Sequence, residues 1–68
     1  MDRNEELTKR GLTVLLNRLE RRSYRREIDD SVYRVEQLDL IARGIKLGYG
    51  RPIRFVWEPG VAPTWGFE

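Results

Sequence analysis

Apolar residues recur at helical spacing in the first third of the chain. The main stripe follows the spacing i, i+3, i+4, i+7 and is formed by Leu12, Leu15, Leu16 and Leu19. This spacing places the four side chains on one face of an amphipathic helix. Asn4, or Asp2 with Glu5 in capping-box spacing, can cap that helix. The pattern predicts a first helix over residues 4–22.

A second stripe with the same geometry predicts a second helix over residues 31–47. It is formed by Val35, Leu38, Ile41, Ala42 and Ile45. Asp30 or Ser31 is the expected N-cap, and Gly48 is placed to end the helix. In both helices the main stripe is expected to face the core.

Each helix also carries a second apolar flank, set well around from its main stripe at about 100° per residue. The flank positions are Leu7 and Val14 on the first helix and Tyr33, Leu40 and Leu47 on the second. In a chain this small, these flanks either pack against the C-terminal segment or face another subunit. The second alternative makes all five residues candidate protein-binding positions.

Alternating residues outside the helices predict strands. Residues 23–30, SYRREIDD, are consistent with a short strand or an extended loop. Residues 52–58, PIRFVWE, alternate cleanly and put Ile53, Phe55 and Trp57 on one side. Pro59 and Gly60 then predict a type II turn. Because Pro63 cannot pair within a central strand, residues 61–68 are expected to be an arm on a surface or a disordered end.

These elements predict an α+β fold with two amphipathic helices packed on one or two short β-strands and an irregular aromatic tail. We expect one small domain over residues 1–58 and a C-terminal arm over residues 59–68. At 68 residues, folding buries only roughly 60% of the surface of the unfolded chain. With no Cys and no His, disulfides and the usual metal ligands are excluded, so a partner chain is the expected extra source of stability.

Composition also narrows the cellular setting and the ligands. No apolar run approaches the roughly 20 residues of a membrane span, and the first residues are too polar for a signal peptide. We therefore expect a soluble cytoplasmic protein without a membrane contact, a cofactor, a metal or a small-molecule substrate. If the chain is phage-encoded, that location is the host cytoplasm or the virion.

Few side chains are suited to catalysis. Without His or Cys, a nucleophile and its base would have to be built from Lys or from a carboxyl group with a shifted pKa. Ser31, followed by an apolar residue, is better explained as a helix cap. The chain is therefore expected not to be an enzyme.

Aromatic residues near the C-terminus are the strongest candidates for binding protein. Trp57, Trp65 and Phe67 are residue types that anchor interfaces, and Trp65 and Phe67 lie beyond the last predicted strand. Trp57, with Ile53 and Phe55, is expected to complete the core over the helices, and the partner interpretation is favoured for Trp65 and Phe67. The favoured interpretation is a protein-binding or homo-oligomeric assembly protein that uses the tail and the second helical flanks.

Arginine residues offer a second function. The chain has 13 basic and 11 acidic residues, a net charge of +2, and 11 of the basic residues are Arg. If the first helix extends far enough, a cationic ridge forms that could contact phosphates. Its residues are Arg18, Arg21, Arg22 and Arg25, with Arg26 beside them. The alternative function is therefore a small nucleic-acid-binding protein, although interleaved Glu20 and Glu27 weaken the positive potential.

A resemblance to a known family favours assembly. Arg3, Glu5, Glu6 and Leu7 resemble the start of the W-type (gpW-like) head–tail joining proteins of tailed phages, and Gly66-Phe67 resembles their apolar end. The resemblance implies two helices with a β-hairpin between them, and a non-enzymatic ring at the phage neck. It also implies that Gly66 and Phe67 contact other virion proteins. A phage or mobile-element protein that inhibits a host enzyme is the other expectation within this class.

Overall fold

The computed structural model describes residues 8–67. Along the chain these form helix α1 (Lys9–Tyr24), helix α2 (Asp30–Lys46), strand β1 (Pro52–Phe55) and strand β2 (Thr64–Phe67). The predicted α+β fold is confirmed, with two helices packed on one small antiparallel sheet. Leu7 and the expected caps Asp2 and Asn4 lie outside the described residues.

Helix α1 begins later than the sequence predicts, because Thr8 caps it. Thr8 has an extended backbone, and its Oγ1 accepts a hydrogen bond of 2.9 Å from the Gly11 N–H. This is the usual N-cap geometry, in which a side-chain oxygen satisfies a free amide of the first turn. Helix α1 therefore begins at Lys9, and the predicted start at residue 4 lies outside the described residues.

Helix α1 also continues further than predicted, to Tyr24, and then ends in a Schellman motif. The Glu27 N–H donates to the Arg22 carbonyl, and the Arg26 N–H donates to the Ser23 carbonyl. Arg26 occupies the left-handed position of the motif with φ 60°. Residues 23–30 are therefore a helix end and a turn, and the strand considered for them is not formed.

Helix α2 matches its predicted extent within one residue at each end. Its N-cap is Asp29, so the candidates Asp30 and Ser31 both lie inside the helix. Gly48, with φ 83°, ends the helix in a second Schellman motif, as predicted. In that motif the Tyr49 N–H donates to the Gly44 carbonyl at 2.9 Å.

The two strands form an antiparallel pair in which Pro52 faces Phe67 and Arg54 faces Trp65. The predicted turn at Pro59 and Gly60 is confirmed by φ 85° at Gly60 and by the Val61 N–H, which donates to the Glu58 carbonyl. Residues 64–67, which were expected to belong to an arm or a disordered end over residues 61–68, form β2 instead, and residue 68 lies outside the described residues. Pro63 lies just before β2, outside the ladder, so its missing N–H does not prevent pairing.

The order of elements differs from what the family resemblance implies. That resemblance places a hairpin between the helices, whereas here both strands follow α2. Helix α1 packs against α2 and against β2. No helix within residues 8–67 is long and apolar enough to cross a membrane.

The hydrophobic core is small and lies along α1. Its buried apolar side chains are Leu12, Leu16, Leu19 and Trp65. The predicted stripe of α1 is thus confirmed as the core face, with Leu15 half-buried at its margin. The core receives its large aromatic group from β2, which the sequence pattern assigns to an arm.

The left-handed Arg26 yields a stability prediction. A non-glycine residue there costs about 1–2 kcal/mol, and the extra freedom of glycine in the unfolded chain offsets about 0.4–1 kcal/mol. We expect Arg26→Gly to raise the free energy of unfolding by about 0.5–1 kcal/mol in urea denaturation at fixed protein concentration. Arg25→Gly is the matched control, because Arg25 has φ −82° and offers no strain to relieve. Equal effects of the two substitutions would contradict the assignment.

Candidate protein-binding surface

Helix α2 turns a different face to the core than its sequence pattern predicts. Its inward face carries Tyr33, Leu40 and Gly44, of which Gly44 is fully buried and the other two are half-buried. Tyr33 and Leu40 belong to the second flank, which was a candidate partner surface. Tyr33 hydrogen-bonds to Glu20 of α1, and Leu40 lies in the groove beside α1, so both residues are only partly open to a partner.

Gly44 brings the inward face of α2 close to the sheet. A Cβ atom at this position would lie 3.1 Å from the Phe67 ring and 3.7 Å from the Leu12 side chain. A glycine inside a helix lowers helix stability, but here it permits the close approach of an aromatic ring. The Phe67 ring also makes an edge contact with Tyr49, at 6.3 Å between centroids.

Glu20 is a buried carboxylate that contacts the other three elements. Tyr33 of α2 donates its hydroxyl hydrogen at 2.6 Å, and Trp65 of β2 donates its indole N–H at 2.9 Å. Arg54 of β1 donates from Nε and Nη2 to the two carboxylate oxygens, each at 3.3 Å. Among residues 8–67, no buried side-chain nitrogen or oxygen lacks a hydrogen-bond partner. The burial of Glu20 is therefore compensated by four charge-assisted hydrogen bonds.

The ionisation of this cluster follows from its contacts. Burial raises the pKa of Glu20, but hydrogen bonds from Arg54, Tyr33 and Trp65 outweigh it, so the pKa lies below its ordinary value of 4.5. Burial and the hydrogen bond to Glu20 raise the pKa of Tyr33 to about 12. The hydrogen bond to Glu20 also raises the pKa of Arg54. Near neutral pH, the cluster is therefore a carboxylate held by a phenol, an indole and a guanidinium.

Trp65 is held by α1 along its backbone as well as through its ring. The Asn17 amide accepts from the Trp65 N–H at 2.5 Å and donates to the Trp65 carbonyl at 3.2 Å. Asn17 and Glu20 are one helical turn apart, so both can reach the same strand residue. Neither anchor is predicted by the hydrophobic pattern of the sequence. The available signal was that Glu20 continues the i, i+4 series of Leu12 and Leu16.

The predicted tail residues differ in how far they remain open to a partner. Trp65 is 8% exposed, and Gly66 and Phe67 are half-buried in β2. Trp57 remains available, since 66% of its surface is exposed. It stacks on Phe55 at 5.6 Å between ring centroids, and its indole N–H donates to the Thr64 hydroxyl. The expectation that Phe55 and Trp57 complete the core is wrong, because 42% of Phe55 and 66% of Trp57 is exposed.

A row of exposed apolar side chains lies along one face of α2. We name this row, which consists of Val35, Leu38, Ala42 and Ile45, the outer seam. Val35 is 67% exposed, Leu38 60% and Ile45 55%, and Ala42 between them is also exposed. These residues belong to the main stripe that the sequence assigns to the core, so that assignment is wrong. Only Ile41 of this stripe is half-buried.

Two flank residues keep their status as candidates. Val14 of α1 is exposed, and so is Leu47 at the C-cap of α2. Neither residue lies in the outer seam. They are secondary contact candidates.

The arginine ridge is present but mixed with acids. Helix α1 carries Arg18, Arg21 and Arg22, and Arg25 is its C-cap; these side chains and Arg26 are exposed. Arg18 and Arg22 line the groove between the helices together with Glu36 and Asp39 of α2. Arg25 also lies 3.9 Å from the Glu27 carboxylate. The ridge is therefore not a continuous positive surface.

The buried carboxylate predicts a specific pH dependence. The pKa of Glu20 is lower in the folded chain than its ordinary value of 4.5 in the unfolded chain. Its contribution to the free energy of unfolding is therefore fully present at pH values above about 4.5. It is lost as pH falls through the lower folded-state value. We expect the urea midpoint of the wild type to fall on acidification, with a smaller change in Glu20→Gln. Tyr33→Phe keeps the carboxylate but removes one donor that lowers its pKa, so its acid-induced loss of stability should be smaller than that of the wild type and complete at a higher pH. Parallel pH profiles for the wild type and Glu20→Gln would contradict this role.

No known family model, no curated protein and no solved structure matches the chain.

Proposed function

We propose that the chain is a non-enzymatic protein-binding or assembly protein that docks through the outer seam of α2. The observation that carries this proposal is the exposure of Val35, Leu38 and Ile45 in one row on a well-formed helix. Single exposed apolar residues are ordinary on protein surfaces, but a contiguous apolar row is typical of an interface. An amphipathic helix that presents such a row can pack into a partner with little rearrangement.

The small core supports the same proposal. Within residues 8–67, four large apolar side chains are buried and eleven are exposed. Domains of this size are marginally stable and commonly gain stability from oligomerisation when they have no disulfide or metal. A partner on the outer seam would remove several of the exposed side chains from water and would add to stability by mass action.

The charged surface gives less support to the nucleic-acid alternative. Glu36 and Asp39 stand across the groove from Arg18 and Arg22, and they reduce the positive potential that phosphates would meet. With a net charge of +2, the chain as a whole also has a weak long-range attraction for a polyanion. We therefore propose the outer seam of α2, and not the arginine ridge, as the binding surface.

A narrower role can be proposed within this class. The resemblance to W-type joining proteins at Arg3, Glu5, Glu6, Leu7 and Gly66-Phe67 motivates a phage or mobile-element protein, although the order of helices and strands differs from that family. Such a protein would act as a virion joining component or as an inhibitor of a host enzyme. Either role requires a stable protein contact and no catalytic group, which agrees with the seam as the working surface.

The proposal predicts how association responds to two substitutions. We expect light scattering of the purified chain to show a protein complex at both low and moderate salt. The ratio of absorbance at 260 and 280 nm, which is about 0.6 for protein alone, should show that the complex contains no nucleic acid. Leu38→Asp should weaken this association by at least about tenfold, because a buried leucine contact is replaced by a charge. Since Leu38 is largely exposed, circular dichroism of the variant should be unchanged.

Arg21→Glu serves as the matched control on the arginine ridge. It should leave the protein complex intact, because Arg21 lies on α1 and outside the outer seam. A monomer that carries nucleic acid at low salt, and releases it at moderate salt or after Arg21→Glu, would sink the proposed function. That outcome would move the function to the ridge.

A further inference from the structure

We infer that the partner of the outer seam is a second copy of this chain, with the two α2 helices side by side and parallel. This inference rests on the proposed function and specifies its partner. The seam residues are spaced by three, four and three positions, the a and d positions of a coiled-coil heptad. Val35 and Ala42 are the a positions, and Leu38 and Ile45 are the d positions. Ser31 extends the same row by one d position at the start of the helix.

The residue types fit a two-stranded parallel seam. In that arrangement each a residue packs beside its own counterpart, and each d residue does the same. A β-branched residue at a followed by leucine at d favours two strands, and Val35 with Leu38 has this order. Ala42 is small and exposed, so it allows the two helices to approach closely in the layer between Leu38 and Ile45.

Charged residues beside the seam are complementary in the same register. Arg34 precedes Val35 and is a g position, and Asp39 follows Leu38 and is an e position five residues later. In a parallel pair, g of one helix faces the e residue five positions later on the other helix, so two symmetric Arg34–Asp39 pairs can form. In the single chain, Asp39 makes an exposed ion pair with Arg43 at 3.2 Å, which is weak enough to be shared or exchanged.

The fold leaves this face of α2 available for such a pairing. Tyr33 and Gly44 point to the opposite side, where they contact Glu20 and the Phe67 ring. Two heptads are too short for a stable isolated coiled coil, because the cost of helix nucleation is high. Here α2 is already helical through its packing on α1, so pairing has only to bring two preformed seams together.

A single introduced cysteine tests the parallel register. The chain has no native Cys, so Ser31→Cys can couple only with the same residue of another copy. In the parallel pair these two d positions lie within disulfide reach. We expect Ser31→Cys to form a disulfide dimer on the order of a hundredfold faster than Glu36→Cys at micromolar concentration. Glu36 is equally exposed on α2 but lies off the seam, and non-reducing electrophoresis with intact mass measures both rates.

A charge exchange tests the flanking pairs independently. The Arg34→Glu substitution places a negative charge opposite Asp39 of the other copy. It should raise the dissociation constant of the dimer by about tenfold. Adding Asp39→Arg to the same chain restores two opposite-charge pairs, so the double variant should return close to the wild-type constant. Failure of the double variant to recover would count against the register, as would equal coupling rates for the two cysteine variants.

Other outcomes separate this inference from the proposed function. Coupling of Ser31→Cys only with an added Ile45→Cys chain would indicate antiparallel helices and overturn the parallel arrangement. A chain that is monomeric at all concentrations but forms a salt-resistant complex with a different protein would overturn the inference and leave the proposed function. A monomer that associates only with nucleic acid would overturn both.

Discussion

The structure depends on one buried carboxylate. Glu20 accepts hydrogen bonds from one residue of each other element: Tyr33 of α2, Arg54 of β1 and Trp65 of β2. An ionised group in an apolar core is costly unless its hydrogen-bonding capacity is satisfied. Each element therefore has to bring its donor to the same point, so the cluster selects one packing of the helices and the hairpin. In a core of four large apolar side chains, a directional constraint of this kind carries unusual weight.

The orientation of α2 follows from that constraint. Placing the Tyr33 hydroxyl on Glu20 and the Phe67 ring on Gly44 fixes which side of the helix faces α1. The more apolar row, from Val35 to Ile45, then has to face outward. Hydrophobic burial alone would turn the helix the other way, so the polar cluster and the small glycine override the apolar pattern. The exposed row is consequently a product of the internal packing, and it has a heptad order that a partner helix can use.

Much of the fold could be predicted from local patterns. The stripe of α1, the extent of α2, the stop at Gly48 and the turn at Gly60 all depend on residues close in sequence, and they are confirmed. The candidate surface could not be predicted in this way. It depends on contacts between residues far apart in sequence, such as Asn17 with Trp65 and Glu20 with Arg54. Those contacts pull the aromatic tail into the core and turn the apparent core face of α2 to the outside.

The Asn17 amide has a further effect on the sheet. By occupying both the N–H and the carbonyl of Trp65, it acts as a short substitute for a third strand on the outer side of β2. An unpaired strand edge can template the addition of another chain, and this side chain removes that opportunity on one border. On the other border, β1 begins with Pro52, which has no N–H to offer. The hairpin, which exposes the rings of Phe55 and Trp57, therefore has one residue on each strand edge that offers no free N–H to a further strand.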